Sequence, residues 1–180
     1  MLYAMSKGLK VGISTMLVRR AVHLGGIHIH TLCCIVEKCD ASIHCTNELA
    51  IQRILTKKKT MKVLQMIHIL FMDEIGQVSS QLMAILDVIL RTIRQSNIYV
   101  GGLLTIGTLY HRQLPPVNGK LLMASSHIIS SFEFIVSQYS VRASGDPDSQ
   151  RLQNIARMHP RYYEEYPELI DEFKNLKEHA

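Results

Sequence analysis

The chemistry open to this chain starts with two adjacent carboxylates. Asp73 and Glu74 follow Met66-Ile67-His68-Ile69-Leu70-Phe71-Met72, an apolar run that reads as a strand buried on both faces. An open parallel sheet places ligands in the crevice at the carboxyl ends of its strands. In nucleotide hydrolases the first acid of such a pair holds the water shell of Mg²⁺, and the second polarises the attacking water. The plainer alternative is a helix N-terminus that begins Asp-Glu, because acids suit that end of the dipole. A second element runs from Gly102 to Gly119, where a strand leads into a polar turn carrying Gln113 and Pro115-Pro116 stiffen the exit. A side-chain amide offers both donor and acceptor, so Gln113 can sense a phosphate or a lytic water. A loop rigidified by two prolines accounts for the same residues without chemistry.

Positioning those residues requires an α/β layout, and the pattern supplies one. Leu9 to Ser14 reads as a short strand, and Thr46 to Leu55 as a helix with Leu49, Ala50 and Ile54 on one face. Lys57-Lys58-Lys59 with Thr60 reads as a basic loop, and Val63 to Met72 as the buried strand. The clearest helix follows: Ser79 or Ser80 can cap it, and Leu82, Ile85, Leu86, Ile89, Leu90 and Ile93 recur at helical spacing. Asp87, Arg91 and Arg94 fall on its polar side, with Asp87 and Arg91 paired four residues apart. Gln95 to Asn97 is the exit turn, and Gly101 to Gly107 returns as a strand. Strand, helix, strand of this length implies a parallel crossover unit. Ser130 to Val136 reads as a fourth strand, and Ser144 to Ser149 is the strongest breaker cluster. Helical stretches over 150–158 and 168–177 close the chain.

At 180 residues with 47% hydrophobic and 19% charged residues, the chain is globular rather than disordered, with one core of ordinary size. Trp is absent and Phe and Tyr total eleven, which argues against an aromatic-lined carbohydrate or cap site. The longest apolar run meets Asp73 well short of the roughly 18 residues of a membrane span. Lys7 and Lys10 interrupt any secretory h-region, so an intracellular setting is expected. The net charge of +5 is uneven: residues 1–62 carry ten Lys/Arg against three Asp/Glu, and residues 163–180 carry two against six. A basic first third suits a polyphosphate backbone through counterion release, and it equally suits a solvated face. Cys33, Cys34, Cys39 and Cys45 lie among His28, His30 and His44. Their spacing lacks the two converging pairs of a structural zinc site, so reduced, partly buried thiols are expected.

Together the two chemical elements carry a resemblance. Asp73-Glu74-Ile75, then Val78-Ser79, an amphipathic helix, a Gly-Gly strand and Gln113-Leu114-Pro115-Pro116-Val117 resemble the Pif-type DNA helicases of superfamily one, including their transposon-borne relatives. Upstream, Arg20-Ala21, Gly25-Gly26 and Ile29-His30 resemble the family's path from motif Ia into its Gly-x-x-Ile-His element. Downstream, Ser140-Val141-Arg142 resembles the motif IV arginine, and Ile155-Ala156-Arg157 the helix after it. The match spans roughly residues 9–160. It implies a partial RecA-like domain with a mainly parallel sheet over 1–137, and a linker with the start of a second such domain over 138–180. It also implies ATP and Mg²⁺ as cofactors, DNA as partner, and five-prime-to-three-prime unwinding. Nuclear residence in a eukaryotic host, and roles in repair, recombination and telomere maintenance, are implied in the same way.

By that resemblance Asp73 anchors Mg²⁺ through water and Glu74 is the general base. Gln113 couples the γ-phosphate to the DNA track, and Arg142 is a charge-stabilising finger. Ser14, Thr15, Arg19, Arg20 and His30 are the nucleic-acid candidates. Lys57, Lys58, Lys59 and Lys62 extend a possible phosphate track. The sequence departs from the family in two respects. It contains no Gly-x-x-x-x-Gly-Lys-Ser/Thr loop, and Tyr110 stands where an acid is expected three residues before Gln113. Gly119-Lys120, the only Gly-Lys pair, lacks the flanking glycine and hydroxyl. The backbone cradle for a triphosphate is therefore missing, and weak ATP affinity with little turnover by this chain alone is expected. The alternative from another class is a catalytically dead remnant that binds nucleic acid or a protein through its basic first third.

Overall fold

A computed structural model of the chain describes residues 2–35, 47–110, 116, 119–136, 145–148, 150–151 and 171. The chain divides into two compact units, Met1–Glu133 and Phe134–Ala180. In chain order the described elements are α1 (Leu2–Ser6), β1 (Val11–Thr15), α2 (Val18–Leu24), β2 (Ile27–His28), α3 (Ile29–Leu32), α4 (Asn47–Thr56) and α5 (Lys58–Met66). There follow β3 (Ile69–Asp73), α6 (Ser80–Arg94), β4 (Leu104–Gly107) and α7 (Ser126–Ser131). The first unit holds a four-stranded sheet in the order β2-β1-β3-β4, with every neighbouring pair parallel. Because the strands are parallel, their carboxyl ends gather on one edge. The register sets Thr15 beside Asp73, and Met72 beside Gly107. This is the expected α/β fold with a mainly parallel sheet flanked by helices.

The core lies on the face that carries Leu70 and Met72, each 1% exposed. α6 covers it with Leu82, Met83, Leu86, Ile89, Leu90 and Ile93, the stripe expected from the sequence except that Met83 is buried and Ile85 only partly so. Ser79 caps the helix by accepting a hydrogen bond from Leu82 N at 3.1 Å, and Gln95 ends it in the left-handed region. Ala50 and Ile54 of α4 and Leu64 of α5 complete the layer, all fully buried. Gly26 is required by proximity: a Cβ there would meet the Ile13 carbonyl oxygen at 2.7 Å, so glycine lets the loop before β2 approach β1.

Three local expectations are corrected. Lys57 to Thr60 is not a loop, and Val63 to Met66 is not strand: α5 occupies Lys58–Met66, and β3 begins only at Ile69. No breaker interrupts a stretch rich in helix-forming Lys, Met, Leu and Gln, and Leu64 faces inward while Val63 and Met66 remain exposed. The strand expected from Gly101 begins at Leu104, because Val100, Gly101 and Gly102 all have positive φ and turn the chain out of α6. Ser130 to Val136 is not a strand either. α7 ends at Ser131, whose hydroxyl, like that of Ser130, donates to the His127 carbonyl. Phe132 to Val136 carry no regular structure, and Ile135 is 92% exposed. The expected helices over 150–158 and 168–177 lie almost wholly outside the described residues.

Two polar groups hold α6 in place. Asp87 is buried, accepts from Val100 N at 2.6 Å and pairs with Arg91 Nε at 2.9 Å. Arg94 donates to the carbonyls of Leu64, Gln65, Ile67 and Gly101 at 3.0–3.2 Å. It thereby satisfies carbonyls at the C-terminal end of α5 that no helical N–H can reach. The polar side of this helix is thus a structural clamp rather than a solvated face.

Candidate functional site

β3 delivers Asp73 to the carboxyl edge of the sheet, and Glu74 leaves the strand in the left-handed region at φ 57°. A non-glycine residue adopts that conformation at a cost, so surrounding contacts must hold it. Thr108, the residue after β4, supplies them. Its backbone N–H donates to Met72 O at 3.0 Å, and its carbonyl accepts from Ile75 N at 2.9 Å. Its hydroxyl donates to Asp73 Oδ1 at 2.7 Å and accepts from Glu74 N at 3.0 Å. One threonine therefore fixes both acids across two strands. Gln77 Nε2 stands 3.5 Å from Glu74 Oε2.

Arg20 approaches from α2. Its Nη2 lies 3.1 Å from Asp73 Oδ2, and its Nε lies 3.7 Å from Glu74 Oε1. Neither Arg20 Nε nor Asp73 Oδ2 makes a hydrogen bond, although both atoms are buried. The contact is one of charge rather than of aligned donors and acceptors. The fit of this site to a hydrated divalent cation rests on that oxygen. Asp73 Oδ2 is an acceptor with no hydrogen-bond donor, at a strand tip, beside a second carboxylate. Mg²⁺ is characteristically held through one or two carboxylates with its waters retained. Among the described residues no group of three or more His, Cys, Asp or Glu is arranged to hold a metal.

The nucleic-acid candidates do not stay together. Ser14 and Thr15 are 0% and 2% exposed, which removes their side chains from any surface track. Ser14 Oγ donates to Ile27 O at 3.0 Å, and Thr15 Oγ1 accepts from Leu17 N at 3.3 Å, so both stabilise the β1 edge. Arg20 faces the acid pair instead of solvent DNA, whereas Arg19 on the same helix is exposed. His30 is the second residue of α3 and stacks on His28 with ring centroids 5.1 Å apart, and His28 Nε2 lies 2.8 Å from Met16 O. Lys57, Lys58, Lys59 and Lys62 are exposed at and within α5. Cys33 is buried, and burial pushes the Cys34 thiol up from its ordinary value. Gln113, Arg142, Cys39, Cys45 and His44 lie outside the described residues. Thr108 was the residue missed; a hydroxyl directly after the Gly107 strand end was its only signal.

In an open parallel sheet the crevice at the carboxyl edge, where this acid pair lies, is the place for a ligand. The comparison with solved structures finds the same fold in Pif1 helicases. Pif1 helicase from Candida albicans superimposes with a TM-score of 0.72 at 22% identity, over 86% of this chain and 35% of that one. Bacteroides Pif1 bound to ssDNA gives 0.66 at 18% identity, over 86% and 38%. Bacteroides Pif1 in complex with ADP-AlF4 gives 0.66 at 18%, over 89% and 40%. The chain shares their fold over the part it covers, and spans under half the length of each. No family model and no curated relative matches the sequence. Among the described residues no helix is long and apolar enough to cross a membrane.

Proposed function

We propose that this chain is part of an ATP-dependent DNA helicase, with Asp73 and Glu74 as its nucleotide-facing acids. The observation that supports the reading most directly is Asp73 Oδ2, a buried carboxylate oxygen without a hydrogen bond, at the carboxyl edge of a parallel sheet with the helicase fold. Mg²⁺ held there would neutralise phosphate oxygens as charge develops on them. Asp73 would accept hydrogen bonds from the ion's waters through Oδ2, while Thr108 holds Oδ1 and fixes the carboxylate plane. Glu74 would take the proton of the attacking water. Gln113 as the γ-phosphate sensor, Arg142 as the finger and Arg19 with His30 on the DNA side belong to this proposal. So do five-prime-to-three-prime polarity and work in repair, recombination or telomere maintenance. The 180 residues include no Gly-x-x-x-x-Gly-Lys-Ser/Thr loop, so by itself the chain is expected to bind ATP weakly and turn it over little.

A second reading has its own support. Exposed Lys57, Lys58, Lys59 and Lys62, with Arg20 closed over the acid pair, suit a nucleic-acid-binding module without turnover. Titration calorimetry with Mg-ATP on the chain and on Asp73→Asn separates the two. Binding that the substitution removes supports the helicase reading. No ATP binding, together with salt-steep DNA binding indifferent to nucleotide, supports the module instead.

A further inference from the structure

We propose that Arg20 is an internal counter-cation of the Asp73–Glu74 pair, which a divalent cation must displace in order to bind. The inference rests on the reading of that pair as a metal-holding site, and adds a residue that governs it. The guanidinium reaches one oxygen of each acid, at 3.1 Å and 3.7 Å, and so sits where a cation serving both carboxylates would sit. Yet the pair is loosely made. A planar guanidinium aligned on a carboxylate makes two parallel hydrogen bonds, whereas here Arg20 Nε and Asp73 Oδ2 make none.

Three further observations suit displacement rather than permanent structure. The Arg20 side chain is 42% exposed, so it can turn into solvent. Ala21 is the only residue of α2 that is buried, so little packing depends on how Arg20 is placed. The acids do not need Arg20 to keep their positions, because Thr108 holds the Asp73 carboxylate and the Glu74 backbone from the other side of β3. One positive charge against two negative ones leaves the site net negative, so a hydrated divalent ion is still attracted. That ion replaces a single charge with a double one. The guanidinium released in this way remains a fork suited to phosphate oxygens.

Mn²⁺ titration of the full chain, followed by electron paramagnetic resonance, tests this with the metal alone. Arg20→Gln should tighten Mn²⁺ binding about five- to tenfold, the factor expected on removing one partly exposed competing charge. Lys7→Gln, which removes the same charge from the exposed α1–β1 connection, should leave it within a factor of two or so. Adding Asp73→Asn to Arg20→Gln should abolish the gain. In the unsubstituted chain, the Arg20 Nε–H resonance should shift on Mg²⁺ addition with the midpoint of ion binding. That measurement decides the matter if Arg20→Gln fails to fold. Measurable Mn²⁺ binding that Arg20→Gln leaves unchanged or weakens overturns the role of Arg20 and spares the metal site. An Arg20 resonance indifferent to bound Mg²⁺ does the same. No Mn²⁺ binding by either protein overturns both.

Discussion

Among the described residues, two Asp–Arg pairs stand in contrasting states of completion. Asp87 and Arg91 meet at 2.9 Å along one face of α6, and the same carboxylate oxygen accepts from Val100 N at 2.6 Å. Asp73 and Arg20 come together from different elements at 3.1 Å, and no hydrogen bond reaches Asp73 Oδ2. The first pair ties the helix to the turn that starts β4. That turn carries Val100 at φ 48°, a conformation costly for a β-branched residue, and the buried Asp87 carboxylate helps to hold it. The second pair closes nothing that Thr108 does not already hold. A satisfied pair is structure, whereas an orphaned carboxylate oxygen at a strand tip is capacity for a ligand.

The largest expected effect breaks the first pair. Asp87→Ala leaves Val100 N buried without an acceptor and Arg91 without its partner, and should cost about 2–3 kcal/mol in urea unfolding. Asp73→Asn, measured in parallel, should change stability by less than about 1 kcal/mol, because its partner Arg20 is 42% exposed and the pair is poorly aligned. Equal losses from the two would erase the distinction between them.

Thr108→Val sharpens the contrast from the other side. It removes one hydroxyl that serves both Asp73 Oδ1 and Glu74 N, and should cost about 1 kcal/mol. Mn²⁺ affinity should fall several-fold in the same variant, whereas Asp87→Ala, if folded, should leave it unchanged. Unaltered metal binding would show that the acids do not depend on Thr108.

The smallest effect concerns Tyr99, which packs edge-on against His127 and Phe132 beside Asp87. Burial, and then the nearby Asp87 charge, push its phenol up to about 12. An unfolded tyrosine ionises near 10, so from about pH 10 to 12 the unfolded chain loses a proton that the folded one keeps. The contribution of Tyr99 to stability is therefore complete below about pH 10 and is lost as pH rises through that window. Ultraviolet titration of the folded protein should show a late-ionising tyrosine that Tyr99→Phe deletes.

Much of this was legible before any coordinates. The α6 stripe, its Ser79 cap and the Asp87–Arg91 spacing were read correctly, because a 15-residue amphipathic helix repeats its signal four times over. The parallel order of β3 and β4 followed from the helix between them. α5 and the Ser130–Val136 segment misled for the same reason. A short apolar run is compatible with helix, strand or neither, and only a neighbouring element decides which. In the candidate site, Asp73 and Glu74 were visible as acids after an apolar strand. Thr108 was not, since its role comes from reaching β3 across 35 positions of sequence. That α2 brings Arg20 to the acid pair is not legible either, because no local pattern says which elements lie side by side.

Local pattern and composition are enough for the long helix α6, the acids at a strand end, the uneven charge and the lack of a phosphate loop within these residues. The tertiary structure alone decided that Ser14 and Thr15 are buried, that Arg94 clamps the end of α5, and that Arg20 and Thr108 meet the same two carboxylates. Each of these depends on which elements lie side by side, which no local pattern of the sequence states. Hydrophobic packing is non-directional and reads easily from periodicity. The polar contacts it brings within hydrogen-bond range are directional, and their partners are distant in sequence.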